Sequence, residues 1–245
     1  MMLSLLAWAL LAQSHFTPAE AQAIFSQAND AYYREEWATA KEGYAKLLQH
    51  GYGGPDVLFN LGTTCLSAGE LGEAVLNLER AHRLSNTPDI EANLAVARAR
   101  QLDRVIGASS DEPFLQRLVA ATHPDGLVWG FLSSWVVAFG LLVLVRVATR
   151  GRLLLGLGAA AAFFCALVSG SLVGAHIYVE RTVSEGVVVA KELKAFELPK
   201  ESAKVSFEVH AGLKVRLLES SGKFVRIRLP NGLEGWTEKE GLAEI

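Results

Sequence analysis

Sulfur is scarce in this chain, with two cysteines and two methionines among 245 residues. Cys65 lies in the amino-terminal part and Cys165 inside a long apolar run, so they do not pair and no disulfide framework is expected. A dominant charge is lacking too. The 23 Lys and Arg face 26 Asp and Glu, a net charge of -3. Without a basic stripe there is no electrostatic footprint for nucleic acid, which is excluded as a partner. Motifs that carry chemistry are missing: no HExxH, no cysteine or histidine cluster at zinc spacing, no GxSxG elbow, no Walker loop. Gly156-Leu157-Gly158 imitates a dinucleotide fingerprint but lies in an apolar run and follows no strand. The six histidines are scattered over separate segments. No catalytic residue, cofactor or metal ligand is expected, and the chain does not read as an enzyme.

The charged residues, 20% of the chain, avoid two apolar runs, Gly126 to Val145 and Leu153 to Tyr178. A hydrocarbon core of about 30 Å takes about 20 apolar residues as helix, so transmembrane helices are predicted over 126–147 and 153–178. Arg146, Arg150 and Arg152 crowd the turn between them, which assigns 148–152 to the cytoplasm and both flanking parts to the other side. The opening segment MMLSLLAWALLAQS has the apolar run and small terminal residues of an export signal, predicted over 1–14. Export of the amino-terminal part and a cytoplasmic arginine turn require the same topology.

Between Ala21 and Pro88 the sequence repeats itself every 34 residues, superposing Phe25 on Phe59, Ala28 on Gly62, Ala31 on Cys65, Ala40 on Ala74 and Tyr44 on Leu78. Small residues recur where two helices must cross closely. Leu58 to Pro88, with Asn60-Leu61-Gly62, Gly69, Ala74, Ala81 and a closing proline, resembles a tetratricopeptide repeat. The first copy is looser, and a third, partial copy starts at Asp89, where Asn93-Leu94 echo Asn60-Leu61 shifted by one residue, and caps the array near Leu102. The resemblance implies an all-α domain over 17–105 whose first helices line a concave partner-binding groove. Phe25, Asn29, Tyr32 and Tyr33 of copy one fall on that groove by spacing, with Phe59, Thr63 and Leu66 of copy two. Phe25 and Phe59 also fit ordinary inter-helix packing.

The linker 106–125 carries a serine cap near Ser109 and then Phe114, Leu115, Leu118 and Val119 at helical spacing, a short amphipathic helix for the membrane surface. Trp129 and Tyr178 suit the outer interface of the bilayer. Within the spans, Gly130, Ser134 and Ala138 recur every four residues, as do Gly158, Ala162, Ala166, Gly170 and Gly174. Small residues at that spacing let helix backbones approach closely, either within the hairpin or with a partner's helix. His176, near the end of the second span, is expected to reach interfacial water.

After the linker 179–185 the texture changes to short alternating strands, with Val225, Ile227 and Leu229 inward and Arg226 and Arg228 outward. Asn231-Gly232 signals a hairpin turn. The succession of Pro199, Gly212, Lys214-Val215, Phe224 to Ile227, Asn231-Gly232, Gly235-Trp236 and Leu242 resembles the bacterial SH3 domain over 186–245. That resemblance implies a small all-β barrel for peptide or cell-wall ligands, with Phe224 and Trp236 as candidate ligand-facing aromatics; packing of the barrel is the alternative role for both rings.

The whole order of signal, tetratricopeptide repeats, two spans and SH3-like domain resembles the BatE-type proteins of bacterial aerotolerance operons. These are encoded beside MoxR-type ATPases and von Willebrand factor A-type membrane proteins. The resemblance implies a two-pass protein of the bacterial inner membrane with both soluble domains in the periplasm. Its function would be that of a non-catalytic scaffold whose partners are other proteins, chiefly membrane proteins of a Bat-type complex. An envelope sensor whose SH3-like domain recognises peptidoglycan is the competing reading.

Overall fold

A computed structural model describes residues 16–103 and 114–245. The expected export signal over 1–14 and the serine cap near Ser109 lie outside the described residues. Eight helices, forming two compact units with a carboxy-terminal antiparallel sheet, are seen among the described residues.

The first unit joins sequence from both sides of the apolar helices. Helices α1 (Pro18–Tyr33), α2 (Trp37–Gln49), α3 (Pro55–Ser67), α4 (Leu71–Leu84) and α5 (Pro88–Ala99) stack in chain order. Three of them start with proline, which lacks the N–H that a first helical turn leaves unbonded, and Thr17 closes a capping box with Glu20. The repeat is written in the backbone. Glu35 and Gly69, equivalent in the two copies, both take left-handed conformations at φ 60° and 80°. Just beyond them, Glu36 N–H donates to Ala31 O and Glu70 N–H to Cys65 O, each at 2.9 Å. A Cβ on Gly62 would come within 2.7 Å of Leu78, and one on Gly43 within 2.8 Å of Ala28, so small residues set both helix crossings.

Seven strands complete this unit: β1 (Ser184–Val188), β2 (Glu192–Phe196), β3 (Val205–His210), β4 (Lys214–Ser221), β5 (Phe224–Arg228), β6 (Glu234–Glu238) and β7 (Leu242–Glu244). Their order is β3-β2-β6-β5-β4-β1-β7. The expected alternation holds, with Val225, Ile227 and Leu229 buried and Arg226 and Arg228 outward. Between β5 and β6, Gly232 N–H donates to Leu229 O at 2.9 Å and Gly232 adopts φ 88°, a turn with Pro230 at its second position.

The sheet packs directly on α4. Period-two alternation places Val188 in the sheet's own core and turns its neighbour Val187 into the helical core. A Cβ on Gly72 would meet Val189 Cα at 2.7 Å and Val188 O at 2.8 Å, so only glycine lets the α4 and β1 backbones approach so closely. A shared hydrophobic core joins the two flanking parts of the chain into one unit.

The second unit comprises α6 (Phe114–Ala120), α7 (Pro124–Val147) and α8 (Arg152–Thr182). Helices α7 and α8 are long and apolar enough to cross a membrane, and only 6% and 11% of their apolar windows are buried. Core helices of a water-soluble protein would be mostly covered. Helix α8 runs on to Thr182 and β1 starts at Ser184, so the linker expected over 179–185 is ordered structure apart from Val183. His176 does not reach out to water. It is buried, and its Nε2 pairs with Thr122 Oγ1 at 2.9 Å.

Candidate functional site

On the helical repeats, α1, α2 and α3 enclose a concavity of about 260 Å³. It is lined by Asn29, Tyr32, Tyr33, Tyr44, Phe59, Asn60 and Thr63. Helical spacing explains the convergence, because Asn29 and Tyr32 lie one turn apart on α1, as do Phe59 and Thr63 on α3. Tyr44 reaches in from α2 to donate its hydroxyl proton to Asn29 Oδ1 at 2.6 Å, and Asn60 Nδ2 donates to the same oxygen at 3.1 Å. One copy further on, Asn93 Nδ2 donates to Thr63 Oγ1 at 2.8 Å. Since Thr63 is the repeat equivalent of Asn29, this is the same contact between successive first helices. Burial pushes the Tyr44 hydroxyl up to about 12, with Tyr32 and Tyr33 adding to the shift, so it remains a proton donor at neutral pH.

Of the groove residues expected from the repeat, Asn29, Tyr32, Tyr33, Phe59 and Thr63 come together around this concavity. Leu66 does not, being buried in the helical core, and Phe25 packs edge-on against Tyr44 with centroids 6.0 Å apart. Tyr44 and Asn60 are the lining residues that spacing missed. A tyrosine standing where the second copy has Leu78 was the available signal, since a buried hydroxyl needs a partner.

In comparisons with known proteins, no family profile and no curated protein matches this chain. The chemistry must therefore be read from its own residues. Among the described residues, no carboxylate, imidazole, ammonium, guanidinium or thiol lines the concavity. Burial pushes the Cys65 thiol up to about 12, too high for a nucleophile at neutral pH. Among the described residues, no three His, Cys, Asp or Glu side chains are grouped to hold a metal ion.

On the outer face of the sheet, Trp236 stands opposite Arg226 on β5 and Phe196 on β2. Phe224 is not open to a ligand there. It is buried, edge-on to Phe196 with centroids 6.3 Å apart, and Lys223 Nζ sits 5.5 Å from its ring centre. Trp236 is half-buried.

A charged cluster holds the sheet to the repeats. Glu79 on α4, with its side chain only 4% exposed, pairs with Arg98 at 2.8 Å and Lys214 at 3.2 Å. Burial raises the Glu79 carboxyl pKa, but Lys214 and Arg98 outweigh it and hold the group below its usual value. Arg83 pairs with Glu185 at 2.9 Å, and Arg80 donates to Glu244 O at 2.5 Å. At the far corner Asp103 accepts from His210 twice, from the backbone N–H at 2.6 Å and the ring Nδ1 at 2.8 Å.

Along the apolar pair, Ala138 and Ala166 are buried between α7 and α8. Cβ atoms on Gly170 and Gly158 would come within 3.1 Å of Phe131 and 3.2 Å of Leu141, and one on Gly130 within 3.7 Å of Ser169. Ser134 and Ala162 are half-buried, whereas Gly174 faces open space. Most of the small-residue stripe is thus engaged within the hairpin.

Proposed function

We propose that this chain is a non-catalytic, membrane-anchored adaptor. A tetratricopeptide-type groove and an SH3-like module, held as one body on the outer side of a bacterial inner membrane, would assemble an envelope protein complex of the Bat type. The observation that carries this reading is the pairing of Glu79 with Lys214 and of Arg83 with Glu185. These partners come from opposite sides of α7 and α8 in the sequence. Residues in such contact would share one side of a bilayer, which supports the reading that the two apolar helices cross it as a hairpin. The arginines at 146, 150 and 152 then favour a cytoplasmic turn and an outward-facing body.

The adaptor role rests on the concavity, whose tyrosine, phenylalanine and asparagine lining suits binding and offers no acid, base or nucleophile of ordinary reactivity. A scaffold of this kind works by raising the effective concentration of its partners at the membrane. The reading is tested by placing a photo-crosslinking residue at Tyr33, which is 82% exposed and tolerant of replacement, with Val96 on α5 as a control site. A Tyr33-specific adduct with an envelope protein is expected. Adducts with cytoplasmic proteins alone, or none specific to Tyr33, would contradict it.

A further inference from the structure

We infer that the concavity between α1 and α3 takes an uncharged, proline-containing segment of a partner, bound in the polyproline II conformation. This inference rests on the adaptor reading and specifies its ligand. Charge is the first discriminator: the described lining residues, Asn29, Tyr32, Tyr33, Tyr44, Phe59, Asn60 and Thr63, are all uncharged, so a charged segment would lose water there without gaining a counter-charge from them. Hydrogen-bonding polarity is the second. With Asn29 Oδ1 accepting from both Tyr44 and Asn60, the Asn29 amide is fixed, and its nitrogen donates to none of the described residues. The Tyr32 and Tyr33 hydroxyls likewise bond to none of them. The cavity therefore presents donors without a partner among the described residues, Asn29 Nδ2 and the two hydroxyls, beside the acceptor Oδ1 of Asn60. A polyproline II strand is the complementary ligand, because it has no internal hydrogen bonds, its carbonyls are all free acceptors, and its prolines bring no N–H that would need an acceptor.

Shape is the third discriminator. Tyr32, Tyr33 and Phe59 line the site with aromatic carbon on which pyrrolidine rings can pack, and Tyr32 is braced by an edge contact to Trp37 with centroids 5.1 Å apart. A ligand already extended loses little conformational entropy on docking, which suits a small site with no charge to anchor it.

The test titrates the full chain, purified in lipid nanodiscs, with decaproline capped at both ends and with a capped glycine-serine decamer of the same length. Saturable decaproline binding is expected, at least about tenfold tighter than the control, and Tyr33→Ala should weaken it about tenfold while leaving thermal unfolding unchanged. Asn29→Leu should weaken it as well, and Trp236→Ala on the sheet should not. Equal binding of the two peptides, no binding, or loss with Trp236→Ala but not Tyr33→Ala would overturn the inference. A Tyr33 crosslink to an envelope protein that decaproline fails to compete would sink the proline assignment and leave the adaptor reading standing.

Discussion

The Glu79 carboxylate lies 3.2 Å from the Lys214 ammonium, although both apolar helices intervene between them in sequence. Glu79 is nearly sealed, while Lys214 and Arg98 keep access to water, so the pair is asymmetric. Lys214→Ala leaves a buried carboxylate with one partner fewer and is expected to cost about 2 kcal/mol; Glu79→Gln frees two cations that can reach solvent and should cost less. Chemical denaturation of the two variants checks the order.

The same carboxylate makes the joint acid-sensitive. Its folded pKa lies below the reference 4.5, so its contribution is fully present above that value and is lost as pH falls through the folded pKa. Hydrogen exchange should show α4 and β4 loosening together below about pH 4.5, and the effect should be absent in Glu79→Gln.

Asp103 and His210 respond to pH in the opposite sense. The hydrogen bond to Asp103 raises the His210 pKa above 6.5, so this contact is complete below that value and weakens as pH rises through the folded pKa. In Asp103→Asn the histidine should titrate lower, which a ring-proton NMR titration would read directly.

Gly72 sets the distance between the repeats and the sheet. A methyl there meets main-chain atoms of Val188 and Val189 that have no rotamer to yield, so Gly72→Ala should destabilise by about 1–3 kcal/mol and speed exchange in β1. Gly53, whose Cβ would make only ordinary contact with Leu48 Cδ2 at 3.5 Å, is the neutral comparison.

Glu35 repeats the left-handed geometry of Gly69 with a side chain that disfavours it. Glu35→Gly is expected to stabilise by about 0.5–1 kcal/mol and Gly69→Ala to destabilise by about 1 kcal/mol. Thermal unfolding of both variants tests whether the turns are equivalent.

Much of this was legible locally. The long apolar helices follow from a depletion of charge that needs no tertiary knowledge, and the stacked helices from a period that Ala28, Gly62, Glu35 and Gly69 all obey. The seating of the sheet on α4 was not legible, because Gly72, Glu79 and Val187 look ordinary in a helix or strand, and their partners across the joint lie more than a hundred residues away. A glycine in the first turn of an otherwise amphipathic helix was the one hint of a close backbone approach. Tyr44 was hidden for a related reason: at a core position it reads as packing until Asn29 is seen to receive its proton.

Everything proposed for the function depends on residues 16–103 and 185–245 sharing the outer side of the membrane. Single cysteines at Ser67, Ser202 and Thr149, introduced one at a time, would be labelled with a membrane-impermeant maleimide in spheroplasts. Ser67→Cys and Ser202→Cys are expected to react at once and Thr149→Cys only after permeabilisation. Reaction of Ser67→Cys and Ser202→Cys from opposite sides would break the single-body hairpin, and reaction of Thr149→Cys alone would turn the adaptor to face the cytoplasm.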